Sequence, residues 1–219
     1  MMSAVLAALA CIFYISPVIS DDSTGQMAEQ TEFRLMVFGD SLVAGYGLDQ
    51  SDSFPAQLEA RLQATGASVQ VLNAGVSGDT TAGGLARLDW ALADRPDAVM
   101  VVLGGNDMLR GLEPSASRDN LDQILNRLTM LDIPVLLCGM LAPANLGADY
   151  QAEFDSLYPH LAQKYSQSHD VLFYPFFLEG VALNPALNQP DGLHPNRQGV
   201  AHIISSMTPL VRQLLSKAG

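Results

Sequence analysis

Four polar clusters in this sequence could do chemistry, and each stands in a turn-forming stretch beyond an apolar run. They are Gly39-Asp40-Ser41-Leu42, Asn73-Ala74-Gly75-Val76-Ser77-Gly78-Asp79-Thr80, Gly104-Gly105-Asn106-Asp107 and Asp191-Gly192-Leu193-His194-Pro195. A serine hydroxyl is a poor nucleophile until a base takes its proton; histidine is the side chain that most often serves as that base, and His194 is the candidate. Asp191 lies three residues upstream of it. A D-x-x-H spacing within one loop lets the carboxylate bond one imidazole nitrogen, which fixes the tautomer and leaves the other nitrogen for Ser41. The oxyanion that forms during acyl transfer needs donors, and the sequence offers the backbone N–H of Ser41, the backbone N–H of Gly78 and the side-chain amide of Asn106. Each such donor contributes on the order of 3 kcal/mol in the transition state. The chemistry these parts would perform is acyl transfer.

Taken singly, each cluster also has an ordinary explanation. Ser41 could cap a helix starting near Leu42. Gly75 and Gly78 could serve tight turns, and Asn106-Asp107 could be turn formers. Asp191 could form an Asx-turn ahead of a helix that begins at Pro195, with His194 on the surface. Taken together, they complete one site on one sheet edge. Asp40 adjoins Ser41, but consecutive residues need not face one another, so its expected role is loop hydrogen bonding. His160, His169 and His202 read as ordinary helix or surface histidines. A second class, a metal-dependent phosphoesterase, would have only Asp40, Asp107 and Asp191 as ligands, which enclose a hard cation poorly. A third class, a non-catalytic binding module, has no reason to keep all five site residues. No metal and no cofactor is therefore expected.

The elements that must position these clusters follow from hydrophobic patterning. Apolar runs at 33–38, 69–72, 98–103, 133–139 and 171–174 are near-continuous rather than alternating, as in parallel strands buried on both faces. Between them lie stretches of helical period. Leu121, Ile124, Leu125, Leu128 and Leu131 make one face; Ile203, Ile204, Met207, Val211, Leu214 and Leu215 make another. Pro159 and Pro209 predict a kink or break in two of these stretches. Strand and helix alternating in this way specify a three-layer α/β/α sandwich around a five-stranded parallel sheet. Ligands in such sheets bind beyond the carboxyl ends of the strands, where the polar clusters lie.

The blocks G-D-S-L (39–42), V-S-G-D (76–79), G-G-N-D (104–107) and D-G-L-H-P (191–195) resemble, in order, the four sequence blocks of the SGNH (GDSL) hydrolases. The resemblance implies that family's flavodoxin-like α/β/α fold. It also implies Ser41, Gly78, Asn106 and His194 as the family's four named residues, and Asp191 as the triad acid. Segments such as S-G-D-T-T-A-G-G-L-A-R-L and L-G-G-N-D-M-L-R-G-L-E-P are similar to the bacterial thioesterase, lysophospholipase and arylesterase branch. That likeness covers roughly residues 33–215 and implies small-molecule substrates: aryl esters, acyl-CoA-type thioesters and lysophospholipids.

Apolar material for an acyl pocket stands near the clusters at Leu109, Leu112, Met140, Leu141, Leu146 and Tyr150. Met140 could equally end a strand in the core. Arg110 could neutralise an acidic substrate group or make a solvent-facing salt bridge. Residues Leu141-Ala142-Pro143-Ala144-Asn145 stand where the branch implies a more polar or proline-rich pocket wall, and Pro143 and Asn145 join the candidate pocket on that ground.

A net charge of -12 with 11 Lys and Arg leaves no basic stripe for nucleic acid and repels anionic membranes. Residues 4–15 are uninterruptedly apolar, too short to span a bilayer but suited to a secretory signal cut near Ser20. The Met-Met-Ser start lacks the usual positive charge, which leaves open a retained anchor or a lipid-modified Cys11. The expected organisation is a signal at 1–20, a solvated leader at 21–31 and one domain at 32–219, periplasmic or secreted and monomeric. Loss of the signal leaves Cys138 as a lone, buried thiol.

Overall fold

The apolar runs form five parallel strands: β1 Phe33–Gly39, β2 Val69–Gly75, β3 Ala98–Val102, β4 Val135–Cys138 and β5 Val171–Tyr174. The structure, a computed structural model, describes residues 32–166 and 171–218. The expected signal and leader, and His169, lie outside the described residues. The sheet order is β2-β1-β3-β4-β5. In register, Leu35 of β1 sits between Val71 and Ala98, and β3 is fully buried along its length. Near-continuous apolar strands need cover on both faces, and the connecting helices supply it.

These helices are α1 Ser41–Ala44, α2 Phe54–Gln63, α3 Thr81–Ala91, α4 Gly105–Leu109, α5 Pro114–Thr129, α6 Ala148–Ser166 and α7 Arg197–Leu215. Helix α2 packs on α7, while α3, α5 and α6 pack in a row. Leu121, Ile124, Leu125 and Leu128 form the buried stripe of α5, as expected. Leu131 falls past the end of that helix and is exposed. Helix α7 buries Ile203, Ile204, Met207, Val211 and Leu214.

Of the expected kink or break at each proline, the break does not occur: α6 runs through Pro159 and α7 through Pro209. Each proline removes one backbone donor, but both rings are exposed, so water reaches the side of the helix where the bond is missing. The opposite faces bury Phe154, Leu157, Tyr158 and Leu161 in α6, and Met207, Thr208 and Val211 in α7, and this packing outweighs one lost hydrogen bond.

In this strand order the chain winds away from β1 in opposite directions on its two sides. The carboxyl ends of β1 and β3 therefore border the topological switch point. One close approach beside it demands a particular residue. Gly104 has φ 111, and a Cβ there would lie 2.0 Å from the hydroxyl of buried Tyr158, which donates to the Leu103 carbonyl at 2.8 Å.

Candidate active site

At the end of β1 the chain turns sharply into α1. The cap is Asp40, whose Oδ1 accepts the Leu42 N–H at 3.0 Å. Ser41 is the first helical residue and not the cap, so the alternative reading of it as a helix cap does not hold. Capping by Asp40 leaves the Ser41 hydroxyl free to point elsewhere, and its Oγ lies 2.8 Å from His194 Nε2. His194 Nδ1 lies 2.7 Å from Asp191 Oδ2. With a carboxylate on one side and a hydroxyl on the other, the neutral ring is assigned its proton on Nδ1 and its lone pair toward Ser41.

Asp191 does two jobs that had stood as alternatives. Its Oδ1 accepts the backbone N–H of His194 at 3.0 Å and of Leu193 at 2.9 Å, which is an Asx-turn, while Oδ2 orients the imidazole. The backbone donors of His194 and Leu193 hold its carboxyl down at about 2. It therefore stays ionised throughout any working range. Pro195 does not start α7; Asn196 caps it, accepting from Gln198 and Gly199. The loop is tied down by Gln189, which donates from its side chain to the Tyr46 and Pro195 carbonyls and whose backbone N–H bonds the His194 carbonyl at 2.8 Å. The Tyr46 ring lies 4.7 Å from the imidazole, centroid to centroid. Neither Gln189 nor Tyr46 was singled out from sequence, because tying two loops together leaves no local pattern.

Ser41, Gly78 and Asn106, which carry the three expected oxyanion donors, line one cleft. Gly78 has φ 85, a backbone conformation that only glycine adopts freely. Among the described residues, no acceptor takes the N–H of Ser41 or of Gly78. Asn106 is already engaged: its Nδ2 donates to the Asp79 carbonyl at 2.9 Å and to Asp40 Oδ2 at 3.2 Å. The longer bond to Asp40 is the one an incoming oxyanion can share. Arg110 is exposed, and its Nη2 donates to the Gly78 carbonyl at 2.6 Å and secures the loop, a partner that neither reading of it named.

Asp40 is thus more than a loop residue. It caps α1 with one oxygen and aligns Asn106 with the other, while only 1% exposed. Burial pushes its carboxyl up from 3.8 to about 6, opposed by the Leu42 N–H, the nearby His194 and the Asn106 amide. A carboxyl raised on folding is one that the native state prefers protonated. Its contribution is therefore most favourable below about pH 4, declines between about pH 4 and 6, and levels above that, a span on the order of 3 kcal/mol. Asp40→Asn should remove this slope. Urea midpoints at intervals from pH 4 to 8 should show wild type losing ground against the variant through that window, and parallel profiles would refute the assignment. Turnover by Asp40→Asn should fall less than by Ser41→Ala.

A cleft of about 640 Å³ opens over Ser41 and His194. Of the expected pocket residues, Leu109, Met140, Leu141 and Pro143 line it. Met140 is 3% exposed and also packs in the core, so both readings of it hold. Arg110, Leu112, Asn145, Leu146 and Tyr150 are not part of the lining. Tyr150 stacks on Phe154 and donates to the Leu112 carbonyl at 2.8 Å, and Asn145 is exposed in a short 3-10 turn. Met108, Leu178, Leu183 and Leu193 line it unforeseen; the segment carrying Leu178 and Leu183 is irregular and shows no period.

Asp107 accepts from the Thr81 backbone and hydroxyl and from the Ser117 hydroxyl, and so braces α3 against α5. Asp40, Asp107 and Asp191 are each engaged by protein donors, and among the described residues no cluster of three His, Cys, Asp or Glu could hold a metal ion. His160 and His202 are exposed on α6 and α7, apart from the cleft lining. Cys138 is fully buried, and burial pushes its thiol well above the usual range.

A parallel α/β/α sandwich with hydroxyl, imidazole and carboxylate in line at its switch point is that of a serine hydrolase acting on ester bonds. Comparison with known proteins narrows this class. The chain belongs to the GDSL-like lipase/acylhydrolase family, whose model matches residues 37–202. It is 40% identical over 183 residues to the thioesterase 1/protease 1/lysophospholipase L1 of Escherichia coli (strain K12), covering 83% of this chain and 85% of that one. It is 40% identical over 193 residues to the esterase TesA of Pseudomonas aeruginosa (strain PAO1), covering 88% and 92%. Among solved structures, AlinE4, an esterase of the SGNH-hydrolase family, superposes with a TM-score of 0.69 at 49% identity, covering 84% of this chain and 97% of that one.

Proposed function

We propose that this protein is an exported serine esterase that hydrolyses acyl esters and thioesters through an acyl-enzyme intermediate. Aryl esters, acyl-CoA-type thioesters and lysophospholipids are the substrate classes, as the names of its relatives suggest. The observation that carries this reading is the unbroken line from Ser41 Oγ through both nitrogens of His194 to Asp191. In the first half-reaction His194 Nε2 takes the Ser41 proton as Oγ attacks the acyl carbon. Ionised Asp191 stabilises the imidazolium that results. The oxyanion is met by the N–H groups of Ser41 and Gly78 and by the Asn106 amide. Collapse of the intermediate expels the alcohol or thiol, which leaves with the proton held on His194. Water then repeats the sequence, yielding the carboxylic acid and restoring the Ser41 hydroxyl.

All five of these residues belong to one chain, which supports function as a monomer within a single domain at 32–219. Export rests on the apolar run at 4–15 and the small Ser20 that follows, with 21–31 as a leader. Among the described residues no helix is long and apolar enough to cross a membrane. The test is covalent trapping. A fluorophosphonate should block hydrolysis of p-nitrophenyl butyrate stoichiometrically, and mass spectrometry should place the adduct on Ser41, with activity unchanged in EDTA. An adduct elsewhere, or activity abolished by EDTA, would overturn the proposal.

A further inference from the structure

The geometry points to Gln151 and Asp155 as specificity-determining positioning residues that hold the wall of the cleft against a long acyl chain. The inference rests on the esterase reading above. After β4 the chain leaves the sheet ladder, and residues 139–143 form neither strand nor helix. Backbone groups in such a segment must find partners elsewhere or leave the wall loose. Gly139 finds them at the end of β5 and just beyond it, donating to the Tyr174 carbonyl at 2.8 Å and accepting from Phe177 at 2.9 Å. Ala142 finds them in side chains. Asp155 Oδ1 accepts its N–H at 2.7 Å, and Gln151 Nε2 donates to its carbonyl at 3.0 Å.

Two residues four apart lie on one face of a helix. Those of α6 therefore grip both polar groups of one residue, as a neighbouring strand would. The cleft lining includes Gln151, Asp155 and the gripped Ala142, which is 3% exposed, together with its neighbours Leu141, 43% exposed, and Pro143. Fixing Ala142 thus fixes the apolar side chains on either side of it. The grip touches neither Ser41 nor the oxyanion donors, so it governs how a chain lies in the cleft rather than the bond-breaking step. A short acyl group ends near Ser41 and does not need the wall; a long one does.

The experiment compares p-nitrophenyl acetate with p-nitrophenyl dodecanoate in wild type, Gln151→Ala/Asp155→Ala, and the single variants Asp155→Asn and Gln151→Glu. Asparagine keeps an acceptor for the Ala142 N–H; glutamate loses the donor to its carbonyl. In the double variant, kcat/KM for the dodecanoate should fall at least about tenfold, mainly through KM, while that for the acetate stays within about threefold. Asp155→Asn should retain the wild-type chain-length profile and Gln151→Glu should lose part of it. Circular dichroism identifies any variant that fails to fold, and the two single changes, each nearly isosteric, then carry the test. Equal losses on both esters, or an unchanged profile in Gln151→Glu and in a folded double variant, would overturn the inference while leaving the esterase reading intact. Absence of hydrolysis of both esters by wild type would overturn the esterase reading itself.

Discussion

Replacing Ser41 with alanine is expected to cut turnover of p-nitrophenyl butyrate at least about a thousandfold, with thermal melting essentially unchanged. The loss is large because Ser41 Oγ is the hydroxyl that His194 Nε2 bonds, and alanine leaves that base nothing to activate. The fold survives because, among the described residues, the hydroxyl is engaged by His194 alone, in a partly open cleft, so its removal strands no fully buried partner. Some rate above the uncatalysed reaction should persist, since the oxyanion donors and the cleft remain. The measurement is steady-state hydrolysis alongside a melting curve. Undiminished turnover in a folded variant would remove Ser41 from the mechanism.

The second large effect is expected at Asn106. Asn106→Ala should lower kcat by about a hundredfold to a thousandfold and leave KM nearly unchanged, because an oxyanion donor acts on charge that exists only in the transition state. A modest loss of stability should accompany it. The Asp79 carbonyl and one oxygen of buried Asp40 both lose a donor, and a stranded acceptor costs on the order of 1–3 kcal/mol. Steady-state kinetics on the butyrate ester, with a urea titration on the same preparation, separates the two. A rise in KM at constant kcat would show that the amide binds substrate uniformly instead.

How much of this was readable from sequence depends on range. The five strands were legible because burial on both faces removes the polar residues from each run, and the site clusters were legible because they follow four of those runs. Relations between segments were not. Asp40 was set apart as a loop residue because its partner Asn106 lies 66 positions away, and no spacing signals such a contact. Arg110 was read as facing either an acidic substrate group or a solvent-facing salt bridge, and its bond to a carbonyl 32 residues upstream was not foreseen. The prolines misled for a related reason: helix rules weigh the lost bond, whereas α6 and α7 are held by faces whose partners lie in other elements. The pocket was half legible, with the segment after β4 visible as an apolar wall and the irregular stretch around Leu178 and Leu183 carrying no pattern at all.

One consequence concerns the order in which the chain is made. Ser41 and His194 are 153 residues apart, and the imidazole comes from the loop just ahead of the last helix. Contacts of such separation carry the largest loop-closure cost and form late. During synthesis, the chain displays its serine long before it owns a base. A partly made or truncated chain lacking the final segment can hold all five strands in sequence and still be chemically inert toward acyl groups. The site thus serves as its own completion check: hydrolysis begins only when the two ends of the domain have met.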